Sequence, residues 1–190
     1  MFQLRTKTPG AWLDAVFEEF DAFLSDHTLC ERKASAHGLS LIAKYPDKIE
    51  LIDPLIAFAR EELEHFHIMY RVLRSRGLPL PVDAKDEYVN GLREGMRKQG
   101  EGLLLDRLIV SGIIEARSCE RLSLVAAALE PGELKDAYLE LTRAEARHHA
   151  LFFRLARHYF TDVEIEARSG ELFDREAVLV AALPLRAAVH

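Results

Sequence analysis

Two stretches of this chain combine a carboxylate with an imidazole at helical spacing: Glu62-x-x-His65 and Glu145-x-x-His148. Each is preceded, about thirty positions upstream, by a further glutamate, Glu31 and Glu115. Residues three apart project from one face of a helix. Two such pairs, with one further glutamate from each of two other helices, form the ligand set of a dinuclear iron or manganese centre inside a four-helix bundle. One Glu-x-x-His is common by chance among 31 acidic residues; the ordered array Glu31, Glu62/His65, Glu115, Glu145/His148 is far rarer. Carboxylate and imidazole ligands with open positions suit ions that change oxidation state, so C–H hydroxylation, desaturation, peroxide reduction and ferroxidation are all open to such a site. The ligands alone do not choose among them.

The elements that must hold these residues are helices, since strand patterns are nearly absent. Thr8-Pro9 reads as cap and first residue of an opening helix with Trp12, Val16, Phe20 and Phe23 on its apolar face. A second helix is expected over about Asp26 to Lys44, and a third over about Lys48 to Arg76, with Asp53-Pro54 a renewed cap or a kink and Gly77, Pro79 and Pro81 ending it. A charged stretch, Asp83 to Gly100, holds a short helix with Tyr88, Leu92 and Met96 on one side. A fourth long helix spans about Glu101 to Leu129, and the Glu130-Pro131-Gly132 turn returns the chain into a fifth, Glu133 to Phe160. A last helix falls around Phe173 to Ala182. The plan is two helical hairpins joined by one long crossover, with similar Glu-to-Glu spacing in each half, as in ferritin-like bundles. The fold class expected is therefore all-α, a ferritin-like four-helix bundle with additional N- and C-terminal helices, in a single di-iron domain over residues 1–190.

The competing reading of any helical glutamate is a solvated face. Periodicity separates the two. Leu55, Phe58, Glu62, His65, Met69 and Val72 share one stripe; Leu141, Glu145, His148, Phe152 and Leu155 share another. Glu115 falls in line with Leu104, Leu108 and Leu122, and Glu31 with Leu24, Ala34, Gly38 and Ile42. Four carboxylates on inward faces need protonation, arginine partners or cations, because each buried unpaired charge costs several kcal/mol. Two divalent ions balance four carboxylates, and two neutral imidazoles complete the set. Glu64-x-x-His67 has the same spacing, but its stripe includes Arg60 and Arg71, so it faces solvent; Glu61 lies on a mixed face and His149 is rotated away from Glu145. His27, His37 and His158 read as surface or supporting residues, Cys119 as a small buried thiol with a place at the pocket border as the alternative, and no tyrosine stands out as redox-active.

Composition bounds the partners. With 49% hydrophobic and 29% charged residues the chain is of ordinary globular type. Its longest apolar run near the end, Ala177 to Leu185, is short of the ~20 residues of a bilayer span, and the opening Met1 to Lys7 lacks the apolar core of a secretory leader. Two cysteines, Cys30 and Cys119, in no Cys-x-x-Cys arrangement point to a reducing cytoplasm. The net charge of −6 leaves no basic surface over the whole molecule, so a polyanionic partner needs a local patch.

Around the ligands, Asp26-His27-x-x-Cys30-Glu31-Arg32-Lys33-Ala34, Arg60-Glu61-Glu62-x-x-His65-Phe66 and above all Ile114-Glu115-Ala116-Arg117-Ser118-Cys119-Glu120-Arg121 resemble the MiaE family of tRNA hydroxylases. Thr8-Pro9-x-Ala11-Trp12 and Ala144-Glu145-Ala146-Arg147-His148-His149 fit as well, so the resemblance covers roughly residues 8 to 180. It implies a ferritin-like bundle with a non-haem di-iron centre, two iron ions held by Glu31, Glu62, His65, Glu115, Glu145 and His148. The implied activity is dioxygen-dependent hydroxylation of the isopentenyl group of 2-methylthio-isopentenyl-adenosine beside the anticodon of tRNA. That chemistry needs an apolar pocket and an external electron donor, a ferredoxin-type protein or a reductase, since the chain carries no flavin or nicotinamide fingerprint. Arg71 to Arg107 carries eight basic residues against six acidic ones, and Lys85, Arg93, Arg97 and Lys98 are the candidates to hold anticodon-loop phosphates. No membrane partner is expected, and the protein is expected as a monomer or small homo-oligomer. The alternatives are a ferritin-like peroxidase or ferroxidase, a di-manganese catalase, and a non-enzymatic bundle whose carboxylates are structural.

Overall fold

The computed structural model describes residues 3–83 and 85–190. Met1 and Phe2, part of the opening stretch read for a leader, and Ala84 in the crossover lie outside the described residues. The helices are α1 (Gly10–Glu18), α2 (Phe20–Lys44), α3 (Ile49–Ser75), α4 (Glu87–Glu94), α5 (Gly102–Ala128), α6 (Glu133–Ala156) and α7 (Asp162–Ala182). The four long ones lie where the periodicity puts them.

Several boundaries differ from expectation, and α6 ends at Ala156 rather than Phe160. The first helix ends at Glu18, and Glu19 leaves helical geometry (φ −126°, ψ 50°), so Phe20 and Phe23 belong to α2, which starts well before Asp26. That bend lets Trp12 of α1 meet Phe23 of α2 edge to face, with ring centroids 6.0 Å apart. The last helix begins at Asp162, because Thr161 and Glu164 form a reciprocal capping box. Two cap signals act differently from the reading: Pro9, not Thr8, is the N-cap of α1, with Thr8 bound to Glu120, and Pro54 lies inside α3 without renewing a cap. Gly77 adopts φ 73°, and the Leu78 N–H donates to the Leu73 carbonyl, closing α3 in a Schellman-type turn.

Short turns pack α2 on α3 and α5 on α6, and α3 against α6 joins the two hairpins. Gly38 permits the α2–α3 approach, since a Cβ there comes within 2.9 Å of the Phe58 ring. Along all four helices the interior divides the same way. One apolar cluster contains Leu41, Leu55, Phe58, Leu108, Ile113 and Phe152. The other contains Leu24, Phe23, Met69, Leu122, Tyr138 and Leu141. Glu31, Glu62, His65, Glu115, Glu145 and His148 form a polar layer between them.

Candidate metal centre

All six side chains are buried, none more than 6% exposed. They assemble into two groups: Glu31, Glu62, His65 and Glu145 in one, Glu62, Glu115, Glu145 and His148 in the other. Within each group the ligand atoms lie within 4.8 Å of one another. Glu62 and Glu145 belong to both groups, which is the arrangement of two cations sharing two bridging carboxylates.

The hydrogen-bonding state of these atoms tests whether metal fits. Among the described residues, eight buried side-chain polar atoms have no hydrogen-bond partner, and five of them are here: both carboxylate oxygens of Glu62, Oε2 of Glu145, and Nδ1 of His65 and of His148. His148 Nδ1 and Glu62 Oε1 are 2.6 Å apart but are not aligned as donor and acceptor. Buried polar atoms are ordinarily satisfied; unsatisfied carboxylate and imidazole atoms gathered within ligand distance of one another fit a bound cation.

Charge leads to the same result. Burial pushes Glu62 and Glu145 well above the ordinary carboxylate range, with the Glu31 and Glu115 charges adding to it respectively. Burial likewise pushes Glu115 up to about 8. Glu31 is the exception: burial opposes its ionisation, but the hydrogen bond from His27 and the nearby His65 imidazole (3.5 Å) outweigh that and hold it well below the usual range. Burial lowers His148 despite its Glu61 partner, whereas Glu31 and Glu62 overcome burial and raise His65 to about 9. Three carboxylates that resist ionising beside the charged Glu31 would be stabilised as anions by positive charge placed among them.

Outer partners fix the ligands. Tyr138 Oη donates to His27 Nδ1 (3.0 Å), which leaves the proton of His27 on Nε2 to be donated to Glu31 Oε1 (2.6 Å). On the other hairpin His148 Nε2 donates to Glu61 Oε2 (2.9 Å), turning Nδ1 inward, and Arg147 pairs with the same Glu61. Sequence spacing placed Glu61 on a mixed face and did not reveal this role. Glu64 and His67 are exposed, and His149 turns away to the Gly112 carbonyl (2.7 Å), both as read. Cys119 and Cys30 are free thiols; Cys119 lies against the Thr142 carbonyl outside the pocket lining.

A cavity of about 680 Å³ reaches the centre between α2 and α5, bounded by α4 and by Val189 and His190. Glu31, Glu62, Glu115 and Glu145 line it, whereas His65 and His148 do not. Apolar side chains of the wall include Ala34, Val110, Ile114 and Leu122. Lys85 and Arg93 also line it. Arg97 instead binds the buried Asp106 (2.5 Å), and neither it nor Lys98 lines the cavity.

The Glu115–Arg121 segment serves mostly as a clasp. Arg117, fully buried, pairs with Glu176 of α7 (2.7 Å) and donates to the Thr6 carbonyl, and Glu120 accepts from the Thr8 N–H and hydroxyl. Arg121 donates to the Val189 carbonyl and Ser118 meets His190 (3.0 Å), so the same segment that presents Glu115 also fastens the chain ends around the cavity.

Fold and site together define a ferritin-like bundle with a carboxylate–histidine site for two metal ions. A family model described as tRNA-(MS[2]IO[6]A)-hydroxylase (MiaE) matches residues 2–190, and the chain belongs to that family. A tRNA 2-(methylsulfanyl)-N(6)-isopentenyladenosine(37) hydroxylase of Pseudomonas putida is 40% identical over 87% of this chain and 80% of its own length. The enzyme of the same name from Salmonella typhimurium is 28% identical over 93% of this chain and 83% of its own. Among solved structures, a Synechococcus protein with aldehyde deformylating oxygenase activity superposes with a TM-score of 0.92 at 30% identity, over 98% of this chain and 93% of that one.

Proposed function

We propose that the protein is a non-haem di-iron monooxygenase that hydroxylates the isopentenyl group of 2-methylthio-isopentenyl-adenosine beside the tRNA anticodon. The observation that carries this reading is the pair of groups sharing Glu62 and Glu145, whose carboxylates line a cavity with both apolar and basic side chains in its wall. Glu31, Glu62, His65 and Glu145 would hold one iron, and Glu62, Glu115, Glu145 and His148 would hold the other. Bound there, the two ions supply two-electron activation of dioxygen.

The chain's own residues do the rest. The prenyl group enters along Ala34, Val110, Ile114 and Leu122, which exclude water and bring its carbon atoms to the carboxylate face. His27, backed by Tyr138, keeps Glu31 ionised and its second oxygen directed inward; Glu61 does the equivalent for the His148 tautomer. Lys85 and Arg93 on the wall, with Lys98 beyond it, are the cations available to an anticodon loop, whereas Arg97 is held by Asp106. Reducing equivalents come from an external donor, a ferredoxin-type protein or a reductase. No described helix is long and apolar enough to cross a membrane, and the reading places the protein in the cytoplasm as a monomer or small homo-oligomer.

The test is nucleoside mass analysis of tRNA from a prenylating host with and without this protein. One added oxygen on the prenyl-adenosine is expected, lost on Glu115→Ala; unchanged tRNA overturns the reading. Aldehyde deformylation, the activity of the Synechococcus structure, is the second reading on grounds of fold, and the cations on the wall favour a polyanionic substrate over it.

A further inference from the structure

One group of cations around the cavity stands without counter-ions among the described residues. Lys44 at the end of α2, Arg93 at the end of α4 and Arg107 near the start of α5 come from three different helices and line the same wall. Arg32, Arg97 and Arg168 nearby are paired with Asp83 or Asp106. Lys44, Arg93 and Arg107 make no ion pair and no side-chain hydrogen bond among the described residues, and the Arg107 Nε is buried without an acceptor.

Like charges gathered without a counter-ion repel one another, and a buried guanidinium nitrogen without an acceptor is costly. Their neighbour His37 registers the field: burial first, then the charges of Arg93, Lys44 and Arg107, bring its pKa down to about 4. It is held neutral, with Nε2 against the Ser111 hydroxyl (2.8 Å). Lys44 is lowered too, by burial and then by Arg107 and Arg93. Lys44 and Arg93 each sit in the last turn of a helix, where a cation complements the helix dipole. That accounts for two of the three and leaves Arg107 unexplained.

We propose that Lys44, Arg93 and Arg107 form a phosphate-binding site at the cavity wall, which grips the backbone phosphate of the nucleotide whose base side chain reaches the metal carboxylates. The inference rests on the RNA reading above and adds to it the residues that separate an RNA substrate from a free nucleoside. An N6-prenyl chain directed at Glu31 and Glu115 leaves the sugar and its phosphates on the outer side of the base. There the three cations replace the missing counter-ion with a phosphodiester, and the Arg107 Nε gains an acceptor.

The experiment uses the iron-loaded protein without oxygen and measures binding of a prenylated anticodon stem–loop RNA and of the free prenylated nucleoside across a salt series. Arg93→Glu and Lys44→Glu are expected to weaken RNA binding on the order of tenfold and to lower the slope of log affinity against log salt by roughly 0.7 for each phosphate left without its cation, with nucleoside binding unchanged. Arg107→Lys, which keeps the charge, should retain most RNA affinity where Arg107→Gln does not. RNA affinity and salt slope equal to the parent in all the charge-removing variants overturn the site, and so does an equal loss of RNA and nucleoside binding, which signals a damaged cavity. The two failures are distinguishable. If the parent hydroxylates the RNA and these variants match it, only the phosphate site falls; if the parent neither binds nor hydroxylates the RNA, the functional reading falls with it.

Discussion

The bundle has a closed face and an open face. On the closed face α3 and α6 pack directly and contribute His65 and His148, neither of which touches the cavity. On the open face α2 and α5 stand apart, contribute Glu31 and Glu115, and leave room between them for a substrate-sized space. Each hairpin thus supplies one helix with a Glu-x-x-His pair to the closed face and one helix with a single glutamate to the open face. The difference teaches why the array is asymmetric in sequence. Two candidate ligands a turn apart would fix an ion against the closed wall, while a single carboxylate per helix leaves the other side to the cavity. Small and medium residues on the open face, Ala34 and Ile114 among them, keep that space clear.

The largest expected effect breaks both faces at once. Glu62→Ala and Glu145→Ala each remove a ligand shared by the two groups, so metal analysis should show less than one ion retained. Hydroxylation should fall by more than the roughly 10–100-fold typical of losing an outer partner. Filling only the open face comes next. Ile114→Trp should reduce kcat/KM for the prenylated RNA on the order of a hundredfold while two metals per chain remain bound, because bulk in the cavity opposes substrate and not ions. A parallel loss of metal in that variant contradicts the division into two faces.

Outer partners sharpen the comparison between hairpins. His27→Ala, supporting the open-face Glu31, and Glu61→Ala, supporting the closed-face His148, should each weaken metal binding roughly 10–100-fold, and Tyr138→Phe less, since it acts through His27. Metal titration of the folded apoprotein reads all three, with circular dichroism as the check on folding.

The smallest effect concerns the tie that holds the crossover and α7 beside the open face. Burial opposes ionisation of Asp106, but Arg168 and Arg97 outweigh it and hold its pKa at about 2. A depressed carboxylate stabilises the fold at pH values above its unfolded pKa near 4 and loses that contribution as pH falls toward 2. Asp106→Asn should therefore cost on the order of 1–2 kcal/mol at neutral pH and flatten the acid limb of denaturant-unfolding stability between about pH 4 and 2. An acid limb identical to the parent's removes Asp106 from that role.

The ligand positions were legible in sequence because each interrupts an apolar stripe, a pattern that solvent exposure does not produce. The bend at Glu19 had no such signature, since neither glycine nor proline marks it, and the Trp12–Phe23 contact it permits joins residues of two different helices. The start of α7 was legible in principle, in Thr161-x-x-Glu164 followed by Ile165, a weaker cue than the apolar run that draws attention to Phe173. His27 and Tyr138 are 111 positions apart and Glu61 and His148 are 87 apart; pairings at such range depend on packing that periodicity does not encode. The wall formed by Val189 and His190 depends likewise on distant partners, Asp26, Ser118 and Arg121.

The most direct measurement is an anomalous-scattering crystal structure of the iron-loaded protein. Two iron positions are expected in the polar layer between the apolar clusters, each with the ligand group assigned to it and both touching Glu62 and Glu145. A single iron, or iron bound away from these six side chains, contradicts the account.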